Sequence, residues 1–352
     1  MSNSSPAHNA AQALHGHCFT PDRRWSARME LAFAVRQGRT TLTKMRFNGP
    51  LRVQRPFYPE AAPACAPGRG APSQPCHCCL LHPPGGLVSG DDLCLDVQLE
   101  QGTHALLTAP SASKFYAADS CNVAQRQTND LRVAGGVLEW LPRETIIYDG
   151  ARAEMRTTVD LDAASACIGW EMLCLGRPAA GETFARGSVR QSLNLSRQGV
   201  PLLHELLRLD GGDALQNGAC GLGAQPVSAT LFAVGRGADA DGSTEQAGHD
   251  LEALEACCAT LQNMLSPSRD FDDAPEGHPP AASAASAQAA VTLPAQLGQR
   301  AGATVRGGVL VVRYLGPDME EARSLLLTAW GLLRPALVGC PPHMPRIWYG
   351  AF

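Results

Sequence analysis

From Trp25 the chain alternates. Ala27, Met29, Leu31 and Phe33 fall on one phase, with Arg28, Glu30 and Ala32 on the other, the two-residue period of a half-buried strand. Gly38 turns it, and strands are predicted over Thr40 to Phe47 and Leu51 to Val53, joined by the turn chemistry of Asn48-Gly49-Pro50. The same period returns at Leu93, Leu95, Val97 and Leu99, whose partners Cys94, Asp96, Gln98 and Glu100 imply one wet face. Further strands are predicted at His104 to Thr108, Val123 to Val133, Val137 to Leu141, Thr145 to Tyr148, Arg152 to Leu161, Cys167 to Leu175, Ser188 to Leu195, Leu202 to Asp210 and Val309 to Tyr314. Gly102, Gly135-Gly136, Asp149-Gly150 and Gly176 punctuate them.

The period changes to that of a helix twice. Leu251, Leu254, Cys258, Leu261 and Leu265 recur at three- and four-residue spacing and stop before Pro267. The second helix runs from Pro317 to Leu333, with Asp318, Glu320 and Glu321 in its first turn and Pro335 beyond its end. Three stretches lack periodicity: a leader over 1–24 expected to be disordered, a Pro/Ala/Gly-rich loop over 61–75, and an Ala/Ser/Pro-rich insert over 268–304. The expectation is one mainly β domain over 25–352, carrying two inserts. Residue patterns leave sandwich, barrel and solenoid open.

Composition narrows the function. With 33 acidic against 29 basic residues the chain has no electrostatic footprint for nucleic acid. Lys44 and Lys114 are its only lysines, neither stands in a P-loop, and nucleotide hydrolysis is not expected. No HExxH, GxSxG, paired C-x-x-C or post-strand GxGxxG occurs, so no motif supports an enzyme. Residues 1–27 lack the apolar core of a signal peptide, and no stretch approaches a membrane span. The 13 cysteines are expected to be reduced, mostly buried thiols of a cytoplasmic protein.

Two ligand-like clusters stand out. His15, His17 and Cys18 lie in the leader, and Cys76-His77-Cys78-Cys79 is followed by His82. Neither has the second Cys/His pair of a structural zinc site, and on a strand alternate members of the second would face opposite ways. The polar candidates are Asp91, Asp92, Ser113, Glu139, Glu144, Glu171 and Glu205. Glu171 and Glu205 sit within apolar runs, where an unpaired buried charge costs several kcal/mol, so each needs a partner, water or a cation.

Several segments resemble the urease accessory protein family UreD, also called UreH. They are Gly38-Arg39-Thr40, Gly49 to Glu60, His82-Pro83-Pro84-Gly85-Gly86-Leu87-Val88-Ser89-Gly90-Asp91, Ser113-Lys114-Phe115-Tyr116, Glu139 to Glu144, Gly169-Trp170-Glu171, Cys174 to Pro178 and Pro345-Arg346-Ile347-Trp348. The resemblance covers about 25–265 and 305–348. It implies an irregular helical two-layer arrangement of strands with two α-helices alongside. It also implies a non-enzymatic scaffold in nickel insertion, binding UreF, through it the GTPase UreG, and apo-urease. No cofactor is expected to be held tightly; Ni²⁺ passes through an internal tunnel, with Asp91, Asp92, Ser113, Glu171 and Glu205 along it. Carboxylate and hydroxyl ligands would let the ion leave where a Cys/His cage would trap it. The competing readings are a pure docking scaffold and a carboxylate-dependent hydrolase.

Overall fold

The computed structural model describes residues 23–61, 73–237, 245–266 and 295–348. His15, His17, Cys18, nearly all of the leader, most of the 61–75 loop and 268–294 of the second insert lie outside the described residues.

Two sheets face each other. The first contains β1 (Trp25–Arg36), β2 (Arg39–Asn48), β5 (Asp91–Leu99), β8 (Gln125–Val133), β11 (Arg152–Leu161), β13 (Ser188–Arg197) and β14 (Val200–Asp210), in the order β14-β13-β11-β8-β5-β1-β2. The second contains β3 (Arg52–Val53), β4 (Cys76–Leu81), β6 (His104–Thr108), β9 (Val137–Leu141), β12 (Ala166–Leu175), β15 (Val227–Val234), β16 (Ala301–Arg306) and β17 (Val309–Gly316), in the order β16-β17-β15-β12-β9-β6-β4-β3. The short β7 (Ser113–Phe115) and β10 (Thr145–Ile147) attach to it beside β12.

The chain crosses between the sheets at each step. β5, β8, β11 and β13 are mutually parallel in the first sheet, while β6, β9 and β12, the segments that follow the first three, are parallel in the second. Successive coils thus stack as an irregular two-layer helix of strands, and the solenoid reading holds. Tight turns bring the chain back at each coil. At Gly187, φ is 99° and a Cβ would lie 2.1 Å from the Ala151 carbonyl oxygen, so only glycine enters β13 this way.

Burial follows the two-residue period. Met29, Leu31, Phe33, Leu95, Val97, Leu131, Val159, Leu193 and their neighbours fill the space between the sheets. The outer face of the second sheet, with Trp170, Leu231 and Leu310, is covered by two helices, α2 (Glu245–Leu265) and α3 (Met319–Leu333). A short α1 (Ala214–Asn217) precedes them. Covered on both faces, β12 and β15 are apolar except at Glu171, Ser228 and Thr230, and β12 is followed in space by a strand, Val227–Val234, that the periodicity does not predict.

The boundaries of three irregular stretches shift. Ala301–Arg306, which begins inside the expected 268–304 insert, pairs with β17, and Ala295–Gln299 forms a 3₁₀ turn before it. Ser73 of the 61–75 loop is buried, its Oγ bonded to Thr40 Oγ1 at 2.5 Å and donating to the Gly102 carbonyl at 2.9 Å. Arg23 and Arg24, placed in the leader, pair with Asp119 and Asp92. Composition hid these edges because what holds them, the β17 ladder for Ala301–Arg306 and side-chain partners distant in sequence for Ser73, Arg23 and Arg24, is not written in the local pattern. At the other end Trp348 is buried against Trp170 and Trp330, and its Nε1 donates to Thr108 Oγ1 at 3.1 Å.

One buried network ties the α3 end to the second sheet. Arg334, one residue past α3, donates to Glu139 on β9 at 3.0 Å and to both carboxylate oxygens of Glu60 at 2.7 and 2.8 Å. His104 Nε2 and Trp330 Nε1 also donate to Glu139, each at 2.6 Å, and His77 bonds Glu60. Glu139, His104 and Arg334 are wholly buried, and Arg334 with His104 holds the Glu139 carboxyl down at about 2 despite its burial. Glu139 is therefore structural, and His77 is committed to Glu60.

Candidate functional site: two adjoining cavities between the sheets

The inward phase of the first sheet is apolar except at one end. Across the ladder, Leu93, Gln127, Met155, Gln191 and Leu207 stand in one register row, and Leu95, Asn129, Thr157, Leu193 and Glu205 in the next. Each polar member occupies the phase that elsewhere carries core residues. From the opposite sheet, Glu171 shares the inward phase of β12 with Cys167, Leu173 and Leu175, while Trp170 and Met172 point to the helices.

Here the sheets enclose two cavities. The first, about 480 Å³, is lined by Met29, Leu80, His82, Ser113, Trp140, Arg143, Thr157 and Glu171, among others. The second, about 320 Å³, is lined by Glu171, Gln191, Leu193, Glu205, Leu206, Leu207, Ser228 and Thr230. Glu171 and Gln191 belong to both walls. The surface that Glu171 retains faces these cavities, since its strand is central.

Glu171 accepts a hydrogen bond from Gln191 Nε2 at 2.7 Å. Burial pushes its carboxyl up to about 7; hydrogen bonds from Thr157 and Gln191 oppose the rise, and the charge of Glu205 adds to it. Glu205, on β14 at the wall of the second cavity, pairs with the exposed Arg313 on β17. Ser113 lies at the first cavity, its Oγ donating to Gln127 Oε1 at 3.4 Å. Asn129 donates to Thr157 Oγ1 at 3.2 Å, completing a chain of neutral polar groups.

The sequence candidates thus divide. Ser113, Glu171 and Glu205 lie along one run of void. Asp91 and Asp92 are on neither wall. Asp92 is buried and paired with Arg24, and Asp91 accepts from the Val88 N–H at 2.9 Å, touching the first cavity only through the charge of its neighbour His82. Glu144 accepts from Arg323 Nη2 at 2.8 Å. Cys76 and Cys78 point into the core with their sulfurs 3.8 Å apart, and His77 points away, as strand alternation requires. Among the described residues no group of three or more His, Cys, Asp or Glu is arranged to hold a metal ion.

Gln127, Asn129, Thr157 and Gln191 escaped the sequence reading. Their signal was available, since each is polar in phase with the buried alternation of its own strand. Only strand pairing shows that the four breaks are adjacent.

Comparison with known proteins identifies the family. The family profile described as UreD urease accessory protein matches residues 26–349. The chain is 40% identical to urease accessory protein UreD of Chromohalobacter salexigens over 98% of its own length and 96% of that protein. It is 41% identical to the UreD of Marinobacter nauticus, covering 95% of each chain, and 37% identical to that of Pseudoalteromonas translucida, covering 98% of each. The profile match and the near full-length similarity together place this chain in the UreD family of urease accessory proteins.

Proposed function

We propose that this protein acts in urease maturation as a non-enzymatic scaffold and conduit, through which Ni²⁺ passes towards apo-urease. The observation that carries this reading is the sharing of Glu171 and Gln191 by two adjoining cavities, which joins Ser113, Glu171 and Glu205 into one internal line. Oxygen ligands spaced singly along a void bind a divalent cation weakly enough for it to move on. A Glu171 carboxyl raised to about 7 ionises at little cost when a cation arrives, and Glu205 is paired with Arg313. UreF and, through it, the GTPase UreG are the proposed partners, a division of labour consistent with the missing P-loop. Asp91 and Asp92 take a framework part in this reading, holding the Gly85–Asp92 turns and Arg24.

The test is reconstitution of apo-urease with Glu171→Ala and Glu205→Ala proteins, scoring complex assembly with UreF and UreG separately from urease activation. Assembly at wild-type level with activation lost supports the conduit. Activation at wild-type level removes it and leaves a docking scaffold.

A further inference from the structure

Of the four strands that end the two sheets, three are protected. β3 is two residues long, and β16 lies against α2, whose Gln262 Nε2 donates to the Ala303 carbonyl at 3.0 Å. β14 carries Pro201 and turns Glu205 inward, onto the wall of the second cavity. Shortness, cover, proline and inward charge are the devices that keep a sheet edge from pairing with another chain.

β2 is protected at its start and not beyond. Thr40 N–H donates to the Gln74 carbonyl at 3.0 Å, and a bulge follows opposite Ala32 and Phe33. From Lys44 to Asn48 the ladder with β1 is regular and, among the described residues, no strand pairs with its other side. Met45 and Phe47 stand opposite Leu31 and Met29 and share their inward phase. Leu31 and Met29 are buried, yet Met45 is 48% exposed and Phe47 46%, the latter covered in part by the Arg52 guanidinium 4.2 Å from its ring centre. The alternate phase is basic. Lys44 pairs with Glu30, Arg46 joins no ion pair among the described residues, and β2 contains no acid.

These two phases describe what would cover the edge. A second copy of this chain does not fit: pairing Lys44–Asn48 with itself sets Arg46 against Arg46 or against Lys44, and like charges directly opposite destabilise a ladder. We propose that Lys44–Asn48 docks an extended segment of a partner protein, added to β2 with apolar residues on Met45 and Phe47 and acidic residues beside Lys44 and Arg46. Main-chain hydrogen bonds supply the affinity of such strand addition, and the alternating side chains its specificity. The surface rests on the scaffold part of the proposed function. It lies off both cavities and is tested without nickel or urease, so its outcome is read separately from that of the path.

The experiment is fluorescence polarisation of the full-length chain with a labelled peptide alternating Glu and Val. Glu–Ser and Lys–Val peptides of equal length are the controls, and sedimentation velocity follows the chain alone. Saturable one-to-one binding of the Glu–Val peptide is expected, about fivefold or more tighter than either control, and about tenfold weaker once amides along one edge of the peptide are N-methylated. Lys44→Glu/Arg46→Glu should reverse the preference, so that the Lys–Val peptide binds more tightly. Phe47→Thr, which keeps a strand-forming residue and removes the ring, should weaken the Glu–Val peptide about fivefold. Met45→Thr serves if Phe47→Thr does not fold. The proposal is overturned if the Glu–Val peptide does not saturate, if a control or the N-methylated peptide binds as well, or if charge reversal leaves the preference unchanged. It is equally overturned if the chain alone forms a dimer that Phe47→Thr abolishes, which would make a second copy the occupant.

Discussion

Replacing Glu171 by Gln isolates the cost of placing a carboxyl between the sheets. Gln keeps the shape and an acceptor for Gln191 but cannot ionise. The Glu171 carboxyl is raised from its ordinary 4.5 to about 7, chiefly by burial. Each unit is worth about 1.4 kcal/mol, so ionising it in the folded state costs about 3 kcal/mol. The sign follows from proton binding: between 4.5 and 7 the folded state holds a proton that the unfolded state has lost, so stability is fully present below 4.5 and falls as pH rises through 7. Urea denaturation followed by tryptophan fluorescence from pH 4.5 to 8.5 should show Glu171→Gln close to wild type at the acid end and more stable by up to about 3 kcal/mol at pH 8. Parallel curves for the two proteins, or a variant less stable at pH 8, would refute the burial argument.

Arg334→Met should lose about 3–5 kcal/mol, because Glu139 is left as a buried carboxylate without its guanidinium; this variant should gain more stability than the wild type as pH is lowered, and adding Glu139→Gln should recover part of the loss. Chemical denaturation of the two singles and the double measures that coupling. Gly187→Ala should cost about 2 kcal/mol or more, since its Cβ would meet the Ala151 carbonyl at 2.1 Å; a shift below 0.5 kcal/mol in the same assay would show that the turn relaxes freely.

The architecture was legible where one strand's pattern sufficed. The periods at His104 to Thr108, Val137 to Leu141 and Arg152 to Leu161 match observed strands residue for residue. Val227–Val234 was not predicted, because a strand covered on both faces has no wet phase to betray it. Ala301–Arg306 was hidden by a composition that elsewhere signals disorder.

Local chemistry within the chain accounts for the strands, their glycine turns, the two long helices with their acidic first turn, and the requirement that Glu171 and Glu205 find company. All of these depend on neighbours a few residues apart. Whether the coils close as sandwich, barrel or solenoid, and which polar residues meet, depends on pairing between residues 20 or more apart. Thr157 lies beside Asn129 and Leu193, and Glu171 meets Gln191, only because parallel coils stack in one register. That register is set by the summed burial of whole strands, a quantity no single segment contains.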